Sequence, residues 1–214
     1  MSETVSIARD GPQRARDALE ECVAAGGIAI FPADTVYGLA CDPLDAAAVR
    51  GIDQLKGRPA GKPSAVMFFA PLAMRELIGA FGPRTRGALA VLLPGPVTLV
   101  VANRERRYPL VCGDDPSRLG LRLIGGPLTG ARCGVMQTSA NRAGEEAPRR
   151  PAAVDEDLTA SVDLVIDGGE LPGAASTVLD LTELDATGGW RVLRAGALAE
   201  SEVARALGPG LQSP

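Results

Sequence analysis

The chain has 214 residues, 46% of them apolar and 22% charged, with a formal net charge of −4 and an isoelectric point near 5.0. That length and apolar content suit one domain with a full core, while the acidic balance argues against broad, salt-dependent nucleic-acid binding and leaves room only for a local basic groove. Histidine is absent, which removes Ser-His-Asp catalysis, HExxH zinc sites and imidazole bases in one step.

The N-terminal residues, with Glu3, Arg9, Arg14 and Arg16 ahead of any apolar run, lack the pattern of a signal peptide. Pro12 to Ala25 has helix-compatible apolar spacing, proline near its start and Gly26-Gly27 at its end, and predicts a helix feeding a short buried strand over Ile28 to Phe31. Asp45 is placed to cap a second helix through Leu55, Ser64 to Phe69 predicts a strand, and Pro71 and Pro83 each open a helical segment. The longest apolar stretch, residues 87–102, is cut by Pro94-Gly95-Pro96, so no membrane span is expected. Further strands are predicted over Val97 to Ala102, Leu119 to Ile124, Gly134 to Gln137, Leu164 to Ile166, Thr177 to Leu181 and Arg191 to Leu193. Strands outnumber the helices between them, which makes this an α/β chain with a mixed sheet. Residues 1–206 read as one domain and 207–214 as a flexible tail. Cys22, Cys41, Cys112 and Cys133 show no CxxC spacing and read as reduced, buried thiols of a cytoplasmic protein. Aromatic residues are too few to stack bases on.

Chemistry concentrates in the connections. Both lysines, Lys56 and Lys62, fall in the stretch Lys56-Gly57-Arg58-Pro59-Ala60-Gly61-Lys62, while arginine supplies every other basic side chain. An ammonium follows a moving anion where a guanidinium fixes one geometry, so the cluster marks an anion site, although a solvated basic loop has the same composition. The stretch is not a Walker loop: three residues rather than four separate Gly57 from Gly61, and Pro63 intervenes after Lys62. Any grip on a triphosphate therefore comes from the side chains of Lys56, Arg58 and Lys62. In the turn after the first strand, Asp34 is read as satisfying turn amides, and Thr35 and Tyr37 carry hydroxyls that can face a ligand. Gln137 to Gly144 leaves a strand end with two hydroxyls and two amides, a common ligand position that a polar turn would also explain.

Pro32-Ala33-Asp34-Thr35-Val36-Tyr37-Gly38-Leu39, Lys56-Gly57-Arg58-Pro59, Pro94-Gly95-Pro96-Val97-Thr98, Thr138-Ser139-Ala140-Asn141, Ser176-Thr177-Val178 and Arg194-Ala195-Gly196 stand in the order found in the YrdC-like family of threonylcarbamoyl-adenylate synthases, which this chain resembles from about Gly26 to Gly196. The resemblance implies an open twisted α/β sheet flanked by helices around a concave basic groove. It also implies an enzyme that joins L-threonine, bicarbonate or CO2, and ATP into threonylcarbamoyl-AMP and pyrophosphate, for a partner complex that modifies adenosine 37 of tRNA. Carried over by motif, Lys56 and Arg58 are the catalytic cations; Lys56, Arg58, Lys62, Ser139, Asn141 and Arg194 bind ATP; Thr35, Arg122, Gln137 and Ser176 bind threonine, with Arg122 facing its carboxylate. Mg2+ is expected on the triphosphate, and no carboxylate cluster suggests a dedicated metal site. The chain departs from the pattern after Arg122, where Leu123-Ile124-Gly125-Gly126-Pro127 replaces the usual proline-rich segment, so a helix framing the groove is expected to be missing or reduced. The second domain of some longer relatives is not expected here. Two other readings stay open: a non-catalytic RNA or ribosome-binding module using Arg104, Arg106 and Arg107, and a paralogue with another carbamoyl acceptor.

Overall fold

The computed structural model describes residues 2–59 and 61–208. Ten strands form one sheet: β1 Glu3–Ser6, β2 Ala29–Pro32, β3 Tyr37–Cys41, β4 Ala65–Phe68, β5 Val97–Ala102, β6 Arg118–Leu123, β7 Val135–Ser139, β8 Leu164–Asp167, β9 Thr177–Asp180 and β10 Arg191–Arg194. Their order is β1-β8-β2-β3-β7-β4-β6-β5-β9-β10. β8 runs parallel to β1 and β2, β4 to β6, and β5 to β9, while the other neighbours are antiparallel. The sheet is therefore mixed, as the surplus of strands over helices implies.

Successive side chains on a strand face opposite ways, and the two cores follow that rule. Ile30, Leu39, Val66 and Phe68 belong to one cluster and Ala29, Phe31, Ala40 and Met67 to the other. The second face is covered by α1 (Ile7–Ala24) through Ala15, Ala18, Leu19 and Val23. The first is covered by α2 (Ala46–Leu55), α3 (Arg75–Gly79), α4 (Pro83–Leu92) and α7 (Glu200–Leu207), with the short α5 (Glu156–Ala160) and α6 (Leu184–Thr187) beside them. At about 25 cal/mol per Å2 of apolar surface, burial on two faces of one sheet dominates the stability of such a layered core.

Local chemistry sets the element ends. Gly11 adopts φ 83°, outside the helical range, so the regular part of α1 opens at Pro12, whose missing N–H costs nothing in the first turn. Asp45 caps α2, its Oδ1 accepting from the amides of Ala47 at 2.7 Å and Ala48 at 3.2 Å. The strand expected over Val97 to Ala102 has those bounds. Pro71 opens a 3-10 turn, Pro71–Met74, that leads into α3.

Other elements differ from expectation. The motif after β2 is a buried antiparallel hairpin rather than a loop, because Tyr37–Cys41 pairs with both β2 and β7. β1, α5, α6 and α7 have no counterpart among the predicted elements. Leu207, expected to begin a frayed tail, instead closes α7, and residues 209–214 lie outside the described residues. All four cysteines are free thiols, but only Cys41 and Cys112 are buried, and Cys22 and Cys133 are half-buried. Between β6 and β7 the chain makes turns and no helix, matching the reduced segment expected after Arg122. Among the described residues no helix is long and apolar enough to cross a membrane.

Candidate functional site

A cleft of about 780 Å3 opens where strands from both halves of the sheet meet. Thr35 and Val36 come from the β2–β3 turn, Thr98 from β5, Arg118 and Arg122 from β6, Gln137 and Ser139 from β7, Asn141 from the turn beyond, Ser176 from the entry to β9, and Arg194 from the end of β10. Its size suits a nucleotide with a second small substrate. The lining is not uniformly basic: Asp114, Asp115 and Glu145 share it with Arg118, Arg122 and Arg194.

Two of those arginines are held in defined geometries. Arg122 is only 3% exposed. Its Nη1 donates to Gln137 Oε1 at 3.2 Å and its Nη2 to Asp34 Oδ1, while its Nε has no partner. Arg194 donates through Nη2 to the carbonyl of Ser176 at 2.7 Å and to its hydroxyl at 3.2 Å, and that hydroxyl also meets Thr98 Oγ1 at 3.1 Å. Burial, and then the charge of Arg122, push the Arg194 guanidinium below its ordinary value. Two like charges held close enough to disfavour each other are stabilised by an anion placed between them.

The unmatched polar atoms point to the same place. Among the described residues four buried side-chain atoms lack a hydrogen-bond partner: Asp34 Oδ2, Thr35 Oγ1, Arg122 Nε and Asn141 Oδ1. Thr35, Arg122 and Asn141 line the cleft, and Asp34 is the ion-pair partner of Arg122. An orphaned buried polar group costs about 1–3 kcal/mol, so four at one site make a strong requirement for a ligand that supplies donors and acceptors there.

The family model for Sua5/YciO/YrdC, described as telomere recombination, matches residues 21–196. The chain belongs to the Sua5/YciO/YrdC family. A threonylcarbamoyl-AMP synthase from Xanthomonas axonopodis pv. citri is 35% identical over 160 residues, 70% of this chain and 85% of that protein. The Pyrococcus abyssi threonylcarbamoyl-AMP synthase is 32% identical over 193 residues, which are 86% of this chain but only 54% of the relative. The crystal structure of P. abyssi Sua5 complexed with L-threonine superposes with a TM-score of 0.82 at 30% identity, covering 97% of this chain and 61% of that one. E. coli YciO superposes at 0.77 with 25% identity, covering 95% of this chain and all of that one.

Within this family member the ten residues singled out by motif divide into two groups. Thr35, Arg122, Gln137, Ser139, Asn141, Ser176 and Arg194 line the cleft together. Lys56, Arg58 and Lys62 do not. Lys56, at the C-cap of α2, turns inward and is 5% exposed; its Nζ donates to the carbonyls of Ser139 and Asn141, each at 2.5 Å. Burial and the neighbouring Arg58 push Lys56 down to about 8. It braces the Ser139–Asn141 turn from behind, where a solvated ammonium free to follow a moving charge was expected. Arg58 is tied to Asp53 Oδ1 at 2.5 Å and to Ser64 Oγ at 2.8 Å, and Lys62 is exposed.

Asp34 bonds Arg122 rather than turn amides. The Tyr37 hydroxyl is engaged within the fold, outside the cleft lining: it donates to Gly169 O at 2.8 Å and accepts from the Gly168 amide at 2.9 Å, fastening the loop that leads to Ser176. Arg118 and Thr98 line the cleft without having been singled out, Arg118 pairing with Asp180 at 2.9 Å. The Pro94–Thr98 motif was a usable signal for Thr98; no local feature of the sequence marks Arg118.

Proposed function

We propose that this chain is a threonylcarbamoyl-AMP synthase, condensing L-threonine, bicarbonate-derived CO2 and ATP. The observation that carries the reading is the confrontation of Arg122 and Arg194 in one cleft, ringed by orphaned donors and acceptors. Two substrates that each bring anionic groups to adjacent positions match it: a carboxylate for Arg122 and the nucleotide phosphates for Arg194, Ser139 and Asn141.

The chemistry asks little of acids and bases, which suits a chain without histidine. The threonine nitrogen attacks the carbon of CO2, forming the C–N bond of a carbamate and releasing its proton to solvent. A carbamate oxygen then attacks the α-phosphorus, and the bond to the bridging oxygen breaks to release pyrophosphate. Holding both reactants in line and stabilising charge supplies the acceleration. In this reading Arg122, Gln137, Thr35 and Ser176 take threonine, Lys56 holds the Ser139–Asn141 turn in its phosphate-binding shape, and Arg58 and Lys62 act from outside the cleft wall. Mg2+ accompanies ATP. Among the described residues no group of three or more His, Cys, Asp or Glu side chains is placed to hold a metal; the ion is read as arriving on the triphosphate, with water or a single carboxylate completing its shell. The product is a mixed anhydride for a tRNA-modifying partner. Arg104, Arg106 and Arg107 are exposed and lie outside the cleft lining, so they add nothing to an RNA-binding use of the cleft.

Pyrophosphate release from ATP tests the proposal. It is expected only with threonine and bicarbonate together; release without either, or none with both, refutes it. Replacing threonine with other amino acids in the same assay separates a paralogue with another acceptor.

A further inference from the structure

The Asp34–Arg122 pair is half made. On the edge of the guanidinium that presents Nε and Nη2, a carboxylate ordinarily seats both oxygens, one on each nitrogen. Here Oδ1 meets Nη2, but Oδ2 and Nε each lack any partner. One acceptor and one donor, both buried and both on members of a single ion pair, are left facing unmet demands that the pair itself could have satisfied. Gln137 holds the far nitrogen, Nη1, at 3.2 Å, so the guanidinium is fixed from the other side.

The species that answers one free acceptor and one free donor at neighbouring positions is a zwitterion whose ammonium and carboxylate sit on one carbon. We propose that Asp34 binds the α-amino group of the amino-acid substrate through Oδ2, with the substrate carboxylate taken by Arg122 Nε. This rests on the synthase reading and adds to it a residue for the reacting nitrogen. Both atoms are buried; Arg122 and Thr35 form part of the cleft wall, and Asp34 lies behind it as the ion-pair partner of Arg122, so a ligand reaches the pair from the Arg122 side. The contact also survives the reaction: ammonium, free amine and carbamate nitrogen each keep at least one N–H to donate, and an acceptor at Oδ2 serves all three without taking up a proton. Holding one N–H there leaves the lone pair of the amine pointing away from Asp34, toward the incoming CO2.

Asp34→Asn is the sharp variant. Its oxygen remains on Arg122, and the position of Oδ2 becomes an NH2 that meets the amine donor to donor. The probes are L-threonine and 3-hydroxybutanoate, the same molecule without its amino group, in calorimetric titrations. The parent is expected to prefer threonine by tenfold or more, and Asp34→Asn to lose at least tenfold in threonine affinity while binding 3-hydroxybutanoate as before. Equal loss for both ligands would show that Asp34 only braces Arg122 and would overturn the assignment, as would unchanged threonine binding. If the variant does not fold, the parent decides alone: equal affinity for the two ligands refutes the proposal, and the tenfold preference supports it. Pyrophosphate release by the parent is scored separately. Turnover with no Asp34→Asn effect sinks only this assignment; a normal Asp34 signature with no turnover sinks only the synthase reading.

Discussion

Gly196, two residues past Arg194, has no unusual backbone requirement; what it lacks is space. A Cβ there would stand 2.3 Å from the carbonyl oxygen of Ala175 and 2.5 Å from both the Ser176 carbonyl carbon and the Thr177 nitrogen. All three are backbone atoms and cannot rotate aside. Carbon–oxygen contacts settle near about 3.3 Å, so Gly196→Ala must push the two segments about 1 Å apart. The displaced segment carries Ser176, whose carbonyl and hydroxyl hold Arg194, and the same movement strains the bond from the Ala197 amide to Ala175 O at 2.8 Å. Forced overpacking costs about 1–3 kcal/mol in stability, and a 1 Å misplacement of a positioning group costs about a hundredfold in rate. Pyrophosphate release should therefore show kcat/KM for ATP reduced by about a hundredfold, with Tm lowered by several degrees. Gly87→Ala is the matched control: it lies inside α4, its Cβ would meet nothing within 4 Å, and it should gain about 0.5–1 kcal/mol. A Gly196→Ala protein with parental Tm and kcat/KM within threefold would refute the packing argument.

Tyr37→Phe should cost about 1–3 kcal/mol in urea unfolding, because it strands the Gly168 amide and Gly169 carbonyl, and should speed hydrogen exchange at Gly168; unchanged exchange there would refute the latch. Lys56 gives a pH signature. Its folded value of about 8 lies below the ordinary 10.5, so between those values the unfolded chain holds a proton that the folded one has released, and stability rises with pH. The cost of burying the ammonium, about 3 kcal/mol at 1.36 kcal/mol per unit, is present in full below pH 8 and relieved toward 10.5. Relative to Lys56→Met, the parent should gain stability by up to that amount from pH 7 to 10.5 in paired denaturant titrations, and a flat difference would show that the lysine is not desolvated.

The sequence made the skeleton legible where a residue has a local job. Asp45 at a cap, proline at the start of α4 and the apolar run of β5 behind Pro96 each act within a few residues. β3 was hidden because a strand buried on both faces loses its alternation and its residues read as part of a polar motif. At the site, motif order brought seven side chains to one cleft, but chain position could not reveal direction: the C-terminus of α2 turns Lys56 into the protein, against carbonyls 83 and 85 residues away. The partnership of Asp34 with Arg122 spans 88 residues and is a property of the folded sheet alone.

β10, which ends in Arg194, is the outermost strand on its side of the sheet, four residues long, largely exposed and irregular in register between Val192 and Arg194. Asp180 ties Arg191 at its start and Arg118 across the neighbouring strands with one carboxylate, but its far end is held mainly through Ser176. Edge strands open at a free energy well below that of global unfolding. The anion grip proposed for Arg194 should thus weaken under heat or denaturant ahead of the core. By the same linkage an anion seated on Arg194 would fasten the border of the sheet, and the proposed substrate would then be part of the architecture it binds.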